Sequence, residues 1–237
     1  MRSICLFIFL LATLPSMAQV EEEQIVEKDS VPAVFDAKYR EDQFYASISY
    51  NLMQTKPSGF SLNSLSLGMT VGFLRDMPVN AARTHSIAVG LGYSYNNLKN
   101  NLIISNGADG NAVYEVNPDI DYTKNRQVLH YLELPIEFRW RNSDAISHKF
   151  WRVYTGFKVS YLMKDRAQFE SYGERIRVTN NKDLNDFVYG AYVGAGWNTW
   201  NFYAYYGITP LYKDAKLNSS EELKLNSLNL GLIFYIL

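Results

Sequence analysis

The sequence predicts an all-β fold, an eight-stranded antiparallel transmembrane β-barrel preceded by an N-terminal signal peptide. Three observations lead to this prediction. The chain begins with an export signal, apolar and polar residues then alternate through about eight long segments, and short connections alternate with long ones. Alternation with period two is the pattern of a strand whose two faces meet different surroundings.

The first 18 residues have the pattern of a secretory signal peptide. Arg2 supplies a positive charge, an apolar run covers Ile4–Leu14, and Ser16–Ala18 places small residues where signal peptidase reads them. A membrane-spanning helix needs about 20 residues, so the run is too short for one. We expect cleavage before Gln19. Cleavage also removes Cys5, the only cysteine, so the mature chain has no disulfide or cysteine-based site.

Residues 19–40 are predicted to form an acidic periplasmic tail ahead of the barrel. Acidic residues cluster at Glu21–Glu23, and Pro32 interrupts regular structure. Polar, charged segments of this kind cannot bury enough apolar surface to fold by themselves. The tail is therefore assigned no role beyond spacing, and the barrel is predicted to occupy residues 41–237.

Alternation is clearest in the second segment. Every second residue from Leu65 to Phe73 is apolar, and the residues between them are Ser, Gly or Thr. A tilted membrane strand needs about 9–11 residues, whereas soluble strands typically have about 5–6, so the segment lengths favour a membrane. The eight segments are centred on Phe44–Met53, Leu62–Arg75, Ser86–Ile104, Val128–Arg141, Phe150–Met163, Asp186–Asn198, Trp200–Leu211 and Leu225–Leu237.

The connections between the segments alternate in length. Segments six and seven are joined by little more than Thr199, whereas Asn106–Gln127 and Lys164–Asn185 are long and rich in Asn, Asp and Gly. In outer-membrane barrels the short turns face the periplasm and the long loops face outward. With an even number of strands, we therefore expect the cell outer membrane as the location, with both termini in the periplasm.

Charged residues in segments four and five are predicted to face the barrel interior. An Arg or Lys facing lipid near the midplane costs about 2–4 kcal/mol, whereas opposite charges on neighbouring inward faces neutralise each other. The cluster could serve a solute or proton path, but an eight-stranded barrel is narrow, which favours a structural plug. The predicted interior charge cluster consists of Glu133, Glu137, Arg139, Arg152 and Lys158.

Pro135 lies in the middle of segment four. Proline has no N–H to donate to a strand ladder. We therefore expect a bulge or local distortion at this residue.

Aromatic residues near the segment ends are predicted to form girdles at the membrane boundaries. The chain is rich in tyrosine, with 18 Tyr against 13 Phe and 4 Trp. Tyr and Trp suit a boundary because one end of the side chain is apolar and the other is polar. The predicted girdle residues are Tyr93, Tyr95, Trp140, Trp151, Tyr161, Trp197, Trp200 and Phe202.

The sequence offers little that points to catalysis or cofactor binding. The histidines His85, His130 and His148 have no metal-ligand spacing, and His130 with Glu133 is the nearest approach to a catalytic pair. Basic residues are scattered without a stripe for nucleic acid. We therefore expect no enzyme, no catalytic residue, no cofactor, no metal and no nucleic-acid partner.

Five segments resemble the PorT-like outer-membrane β-barrel proteins of Bacteroidetes. The most specific stretch reads LELPIEFRW, because this family repeats a Glu-Leu/Ile-Pro core between apolar residues in the corresponding strand. The resemblance implies an eight-stranded outer-membrane barrel, and founding members are associated with the type IX secretion machinery, which in some relatives supports gliding. The segments are Tyr39–Tyr45, Gly72–Pro78, Gly90–Asn96, Leu132–Arg141 and Phe150–Lys158.

Two main functions remain open from the sequence. The first is an accessory component of type IX protein secretion, acting through contacts with other outer-membrane or periplasmic secretion components. The second is a small structural or adhesive barrel with no secretion role. A narrow solute pore is disfavoured by the charged interior, and a lipid-modifying enzyme is the weakest alternative. Outer-membrane lipid is the one partner that the predicted fold requires.

Overall fold

The computed structural model describes most of the predicted barrel. The predicted signal peptide (1–18) and acidic tail (19–40) lie outside the described residues. Within the described part of the chain, no helix is long and apolar enough to cross a membrane. The described residues are 42–62, 65–80, 84–107, 110–117, 120–141, 151–197 and 200–236.

The described residues form β-strands, which are numbered here in chain order. The shortest strand has 5 residues and the longest has 21, about twice what a bilayer crossing needs. The strands are β1 (Gln43–Gln54), β2 (Leu67–Pro78), β3 (His85–Lys99), β4 (Leu102–Asn106), β5 (Ala112–Val116), β6 (Lys124–Arg141), β7 (Trp151–Ser171), β8 (Glu174–Thr179), β9 (Phe187–Trp197), β10 (Trp200–Gly207) and β11 (Asn226–Ile236).

Eight of the strands close into one antiparallel barrel. The order is β1, β2, β3, β6, β7, β9, β10 and β11, and the barrel closes because β11 pairs with β1. Lipid offers no hydrogen-bond partners, so a sheet can cross it only if no backbone edge is left free. The predicted eight-stranded antiparallel barrel is confirmed.

The two ends of the barrel differ in their connections. One end, the turn rim, carries the connections β2–β3, β6–β7 and β9–β10, together with the start of β1 and the end of β11. The other end, the loop rim, carries four longer connections. These are residues 55–66, 100–123, 172–186 and 208–225.

The strands at the loop rim extend further than the sequence predicted. β7 continues to Ser171 and pairs with β8, so much of the predicted loop Lys164–Asn185 is a hairpin. The predicted loop Asn106–Gln127 begins at the end of β4, which pairs with β5 in a second, two-stranded sheet. Beyond the bilayer a strand faces water, so bulky apolar residues no longer alternate with small ones and the sequence signal fades.

The outward face of the barrel is an apolar band. Large side chains that the sequence placed on this face are strongly exposed, including Met69 at 52%, Phe157 at 62% and Phe202 at 76%. Soluble monomers rarely expose a continuous apolar surface of this extent to water. The band is therefore the surface that contacts lipid.

Aromatic side chains mark both edges of this band. At the turn rim the Trp151 and Trp197 rings lie 5.5 Å apart, and Trp200 lies 5.0 Å from Phe234. Tyr161 lies ten residues beyond Trp151 in β7, which is about 33 Å along the strand. At a tilt of about 45° this corresponds to about 23 Å, close to the apolar height of transmembrane barrels.

Tyrosine rings fill the interior against glycines of neighbouring strands. A Cβ atom added to Gly194 would lie 2.1 Å from the Tyr154 ring, and one added to Gly190 would lie 2.3 Å from the Tyr205 ring. Both tyrosines are at most 4% exposed. Small residues on one strand thus create the space that a large ring from the next strand occupies.

Of the bulge or local distortion predicted at Pro135, the structure shows the distortion, and the bulge of this strand lies elsewhere. The β6–β7 ladder shifts register between His130 and Tyr131, and Pro135 keeps its place opposite Lys158. On the other side, the β3–β6 ladder skips two pairs around Pro135 and resumes without a shift. The missing N–H therefore interrupts one ladder locally and inserts no extra residue.

We expect Gly194→Val to destabilise the barrel by about 1–3 kcal/mol, because the added methyl groups overlap the Tyr154 ring. The measurement is the free energy of unfolding in urea, in lipid vesicles, with the folded fraction read from the heat-dependent shift in gel mobility. Ala195→Val is the matched control, since Ala195 is the exposed neighbour on the outward face of β9. Equal stability of the two variants would contradict the glycine–tyrosine packing.

Candidate functional site

The structure buries all five residues of the predicted charge cluster. Glu133, Glu137 and Arg139 lie on the inward face of β6, and Arg152 and Lys158 lie on the inward face of β7. None of the five is more than 7% exposed. A buried charge is tolerated only with a partner, so the contacts of each decide what the cluster can do.

Glu133 and Lys158 form an ion pair in the middle of the barrel. The Lys158 Nζ lies 3.0 Å from a Glu133 carboxylate oxygen and donates to the Tyr203 hydroxyl at 3.3 Å. The ammonium also lies 4.4 Å from the centroid of the Tyr205 ring, a cation–π distance. The lysine charge is thus balanced by one carboxylate and covered by aromatic rings.

A second group of charges lies closer to the turn rim. The Arg139 Nε donates to Glu137 at 2.7 Å, and one Arg139 Nη lies 3.3 Å from Asp76. Arg141 contacts the other Asp76 oxygen at 3.2 Å. The Ser86 hydroxyl completes the surroundings of Asp76 with a hydrogen bond of 2.7 Å. One buried carboxylate on β2 therefore holds two arginines of β6.

Asp76 and Arg141 were not among the predicted cluster residues. Asp76 is fully buried, and it shares the inward face of β2 with Leu74 and Gly72. The alternation of segment two contained this signal, since Asp76 falls on its small and polar face. The prediction considered charges only in segments four and five, and so it missed the carboxylate that Arg139 shares with Arg141.

Arg152 contacts an interior tyrosine. Its guanidinium carbon lies 5.1 Å from the centroid of the Tyr235 ring, and that of Arg139 lies 5.2 Å from the same ring. The Tyr192 hydroxyl donates to Glu137 at 3.0 Å. Interior tyrosines therefore complete the network by solvating both signs of charge.

The interior leaves little room for a solute. The cavity beside the Glu133–Lys158 pair has a volume of about 30 Å³, and a second near Glu137 has about 20 Å³. Each is the size of a single water molecule. Within the described interior the charges therefore serve as a filled plug, and the geometry does not support a path for solutes.

Apolar residues close the barrel at the loop rim. All four long connections contribute buried side chains to one hydrophobic cluster, which rests on inward-facing residues of the barrel such as Leu129 and Tyr131. This cluster is called the loop cap. Its members from the connections are Phe60, Leu102, Ile104, Tyr114, Val178, Leu184, Leu211, Tyr212, Ala215, Leu217, Leu223 and Leu225.

Two tyrosines hold the loop cap together. The rings of Tyr114 and Tyr212 meet edge to face at 5.4 Å, and the Tyr212 hydroxyl donates to Gln127 at 3.1 Å. The Tyr114 hydroxyl lies within 2.9 Å of Asn181 and Asp183. Burial raises the pKa of the Tyr114 hydroxyl, which therefore stays neutral. The cap is thus pinned by polar contacts as well as by apolar burial.

The two histidines that the structure describes lie apart from each other, and neither lies beside Glu133. His130 lies on the outward face of β6, where its Nδ1 is 2.6 Å from the Tyr93 hydroxyl, whereas Glu133 points inward. His85 lies at the turn rim beside Asn80. His148 lies outside the described residues. No cluster of three potential metal ligands is found among the residues that the structure describes.

Comparison with known proteins gives one match. A family model described as an outer membrane protein beta-barrel domain matches residues 17–213. No curated protein matches the chain, and neither does any solved structure. The matched range covers the first seven strands of the barrel and most of the charged interior.

We expect Lys158→Met to destabilise the barrel by about 3–5 kcal/mol, because it leaves the Glu133 carboxylate buried without its cation. The measurement is the free energy of unfolding in urea, in vesicles of fixed composition. The double variant E133Q/K158M is the control, and most of the lost stability should return because no charge is then buried alone. A double variant no more stable than K158M would contradict the ion-pair interpretation.

Proposed function

The chain belongs to the outer membrane protein beta-barrel domain family, and on this premise we propose that it is a closed accessory barrel of type IX protein secretion. As an outer-membrane barrel it contacts lipid along its apolar band. Its further work is done through protein–protein contacts at the two rims. The partners are other outer-membrane or periplasmic components of the secretion machinery.

The filled interior is the observation that carries this proposal. Charged groups and tyrosines occupy the lumen from Asp76 to Lys158, and the loop cap covers the end beyond them. A barrel without a solute path does not act as a pore. The surfaces left for function are the loops, the turns and the lipid-facing wall.

The secretion assignment is supported by the resemblance to PorT-like barrels. The stretch Leu132–Trp140 that carries most of this resemblance supplies both glutamates of the charged interior, with Pro135 between them. The resemblance and the interior charges thus fall on the same strand. We propose no catalysis, cofactor, metal or nucleic acid for this barrel.

The proposed orientation places the loop rim outside the cell and the turn rim in the periplasm. Long loops on one side and short turns on the other are the asymmetry of outer-membrane barrels. Both ends of the barrel chain lie at the turn rim, since Phe44 pairs with Ile236 there. Both termini are then periplasmic, within reach of secretion components.

A structural or adhesive barrel with no secretion role is the second candidate. It is favoured by the turn between β7 and β8, where Tyr172 is 85% exposed and has a φ of 43°. Bulky residues rarely adopt positive φ. The Tyr172 hydroxyl donates to Asp121 at 3.2 Å, so an aromatic ring and a carboxylate are presented together at a loop tip.

Deletion of the gene tests the secretion role. We expect type IX cargo in the medium to fall to the level of a strain that lacks the secretion machinery, and the wild-type gene to restore it. The measurement is quantitative immunoblotting of cargo, with an unrelated outer-membrane barrel as a control for general damage. Normal secretion together with lost surface attachment would favour the adhesive barrel instead.

Epitope tags test the orientation. A tag inserted between Tyr172 and Gly173, at the tip of the β7–β8 hairpin, should bind antibody on intact cells. A tag inserted after Asn80, in the turn that follows β2, should bind only after the outer membrane is permeabilised. Flow cytometry gives the readout. The reverse labelling would mean that the barrel is inverted.

A further inference from the structure

The outward face of the sheet carries a concentration of positive charge beyond the apolar band. It lies on the loop-rim ends of β3, β6 and β7 and on β8, which extends the same sheet. This surface is called the basic patch. Its residues are Lys99, Lys124, Arg126, Lys164, Arg166, Arg175 and Arg177.

Strand alternation determines that these side chains point away from the loop cap. Leu129, Ala167 and Val178 have the opposite parity on β6, β7 and β8, and all three are buried in the hydrophobic cluster. Lys164 and Arg177, by contrast, are exposed. The basic patch is therefore the outer surface of the same sheet whose inner surface supports the cap.

Like charges in the patch are brought together by the strand register. Lys99 of β3 lies directly opposite Arg126 of β6, and Arg126 and Arg177 flank Gln168 from the two sides. Like charges that face each other across strands destabilise a sheet. Their juxtaposition is explained if an anion occupies this face.

Carboxylates on the barrel do not neutralise the patch. Glu170 is the one acidic residue on this face of the described strands, and it contacts Lys124 at 3.6 Å and Arg175 at 3.1 Å. Asp165 of β7 is turned inward, where it accepts from the Asn181 N–H. The other patch residues have no carboxylate within ion-pair distance in the part of the chain that the structure describes. These are Lys99, Arg126, Lys164, Arg166 and Arg177.

The patch begins at the height of lipid headgroups and extends beyond them. Leu132, Tyr93 and Tyr161 pair across three strands and mark the edge of the apolar band. Lys164 follows Tyr161 by three residues, which is about 10 Å along the strand and about 7 Å along the bilayer normal. The headgroup layer on each side of the hydrocarbon is about 5–8 Å thick. Lys164 therefore meets headgroups. On the same scale Arg166 lies about 12 Å above the band edge, and Gln168, which pairs with Arg177, lies about 16 Å above it.

We propose that the basic patch binds the phosphate groups of an anionic glycolipid in the outer leaflet. Guanidinium groups donate two parallel hydrogen bonds to a phosphate, and the side chains are set on rigid paired strands, not on loops. Continuity with the apolar band lets the acyl chains of the same lipid lie against Tyr161 and Leu132. The site rests on the orientation proposed above, with the loop rim outside.

Binding of purified lipid A by the folded, delipidated barrel tests this proposal. The barrel is placed in nanodiscs of zwitterionic phosphatidylcholine, and bound lipid A is counted by native mass spectrometry. The test variant K164Q/R166Q/R177Q removes three patch charges that form no ion pair with the rest of the described chain. The control K56Q/K182Q/K216Q removes three exposed loop charges. Each basic residue near an anionic lipid surface changes affinity by about fivefold.

We expect the wild type and the control to bind phosphorylated lipid A equally, and the test variant to bind it about 100-fold more weakly. Enzymatically dephosphorylated lipid A should bind the wild type as weakly as phosphorylated lipid A binds the test variant. Equal binding of the two lipids, or unchanged binding by the variant, would overturn the proposal. Tighter binding of inorganic phosphate or of polyglutamate would assign the patch to another anion and would also overturn it.

Separate measurements test whether each variant folds and which way the barrel is oriented. The heat-dependent gel shift shows whether each variant remains folded. Lipid binding by the purified barrel does not depend on secretion. Normal secretion in the deletion strain would therefore not contradict the lipid-site proposal. The epitope tags report independently which leaflet the patch faces.

Discussion

The narrow bore of an eight-stranded barrel is the constraint on which the rest of the structure depends. Lipid demands that the sheet close on itself, and closure with so few strands leaves an interior that side chains must fill. Glycine and tyrosine share this space, as at Gly194 and Tyr154. The bulky apolar residues are then excluded from the lumen and form the outer band.

Buried charge follows from the same constraint. Polar and charged residues cannot face the lipid, so they accumulate inside, where they must neutralise one another without water. Asp76 and the arginines of β6 achieve this near the turn rim, and Glu133 and Lys158 achieve it near the middle. The result is an interior filled by side chains from one wall to the other.

Strand count, closure and the inward direction of the charges could be predicted from the sequence, because lipid imposes a strict two-residue alternation within the band. Prediction of the strand ends and of the loop cap failed outside the band, where lipid no longer imposes this alternation. Beyond Tyr161 the outward face leaves the apolar band and the inward face packs against the loop cap, so the extension of β7 and the cap leave no simple pattern. The carboxylate that Arg139 shares with Arg141 was missed because Asp76 lies on a strand distant in sequence. Alternation along a strand predicts which face of the sheet a side chain lies on, but not which residue of another strand it contacts.

The loop cap also affects the order in which the barrel can assemble. Its core draws residues from all four long connections, from Phe60 in the first to Leu225 in the last. It is therefore complete only when all four connections have come together at the loop rim. Once formed, it resists extraction of any single hairpin, because the whole core must melt before one connection can be withdrawn. The cap thus stabilises the fully assembled barrel.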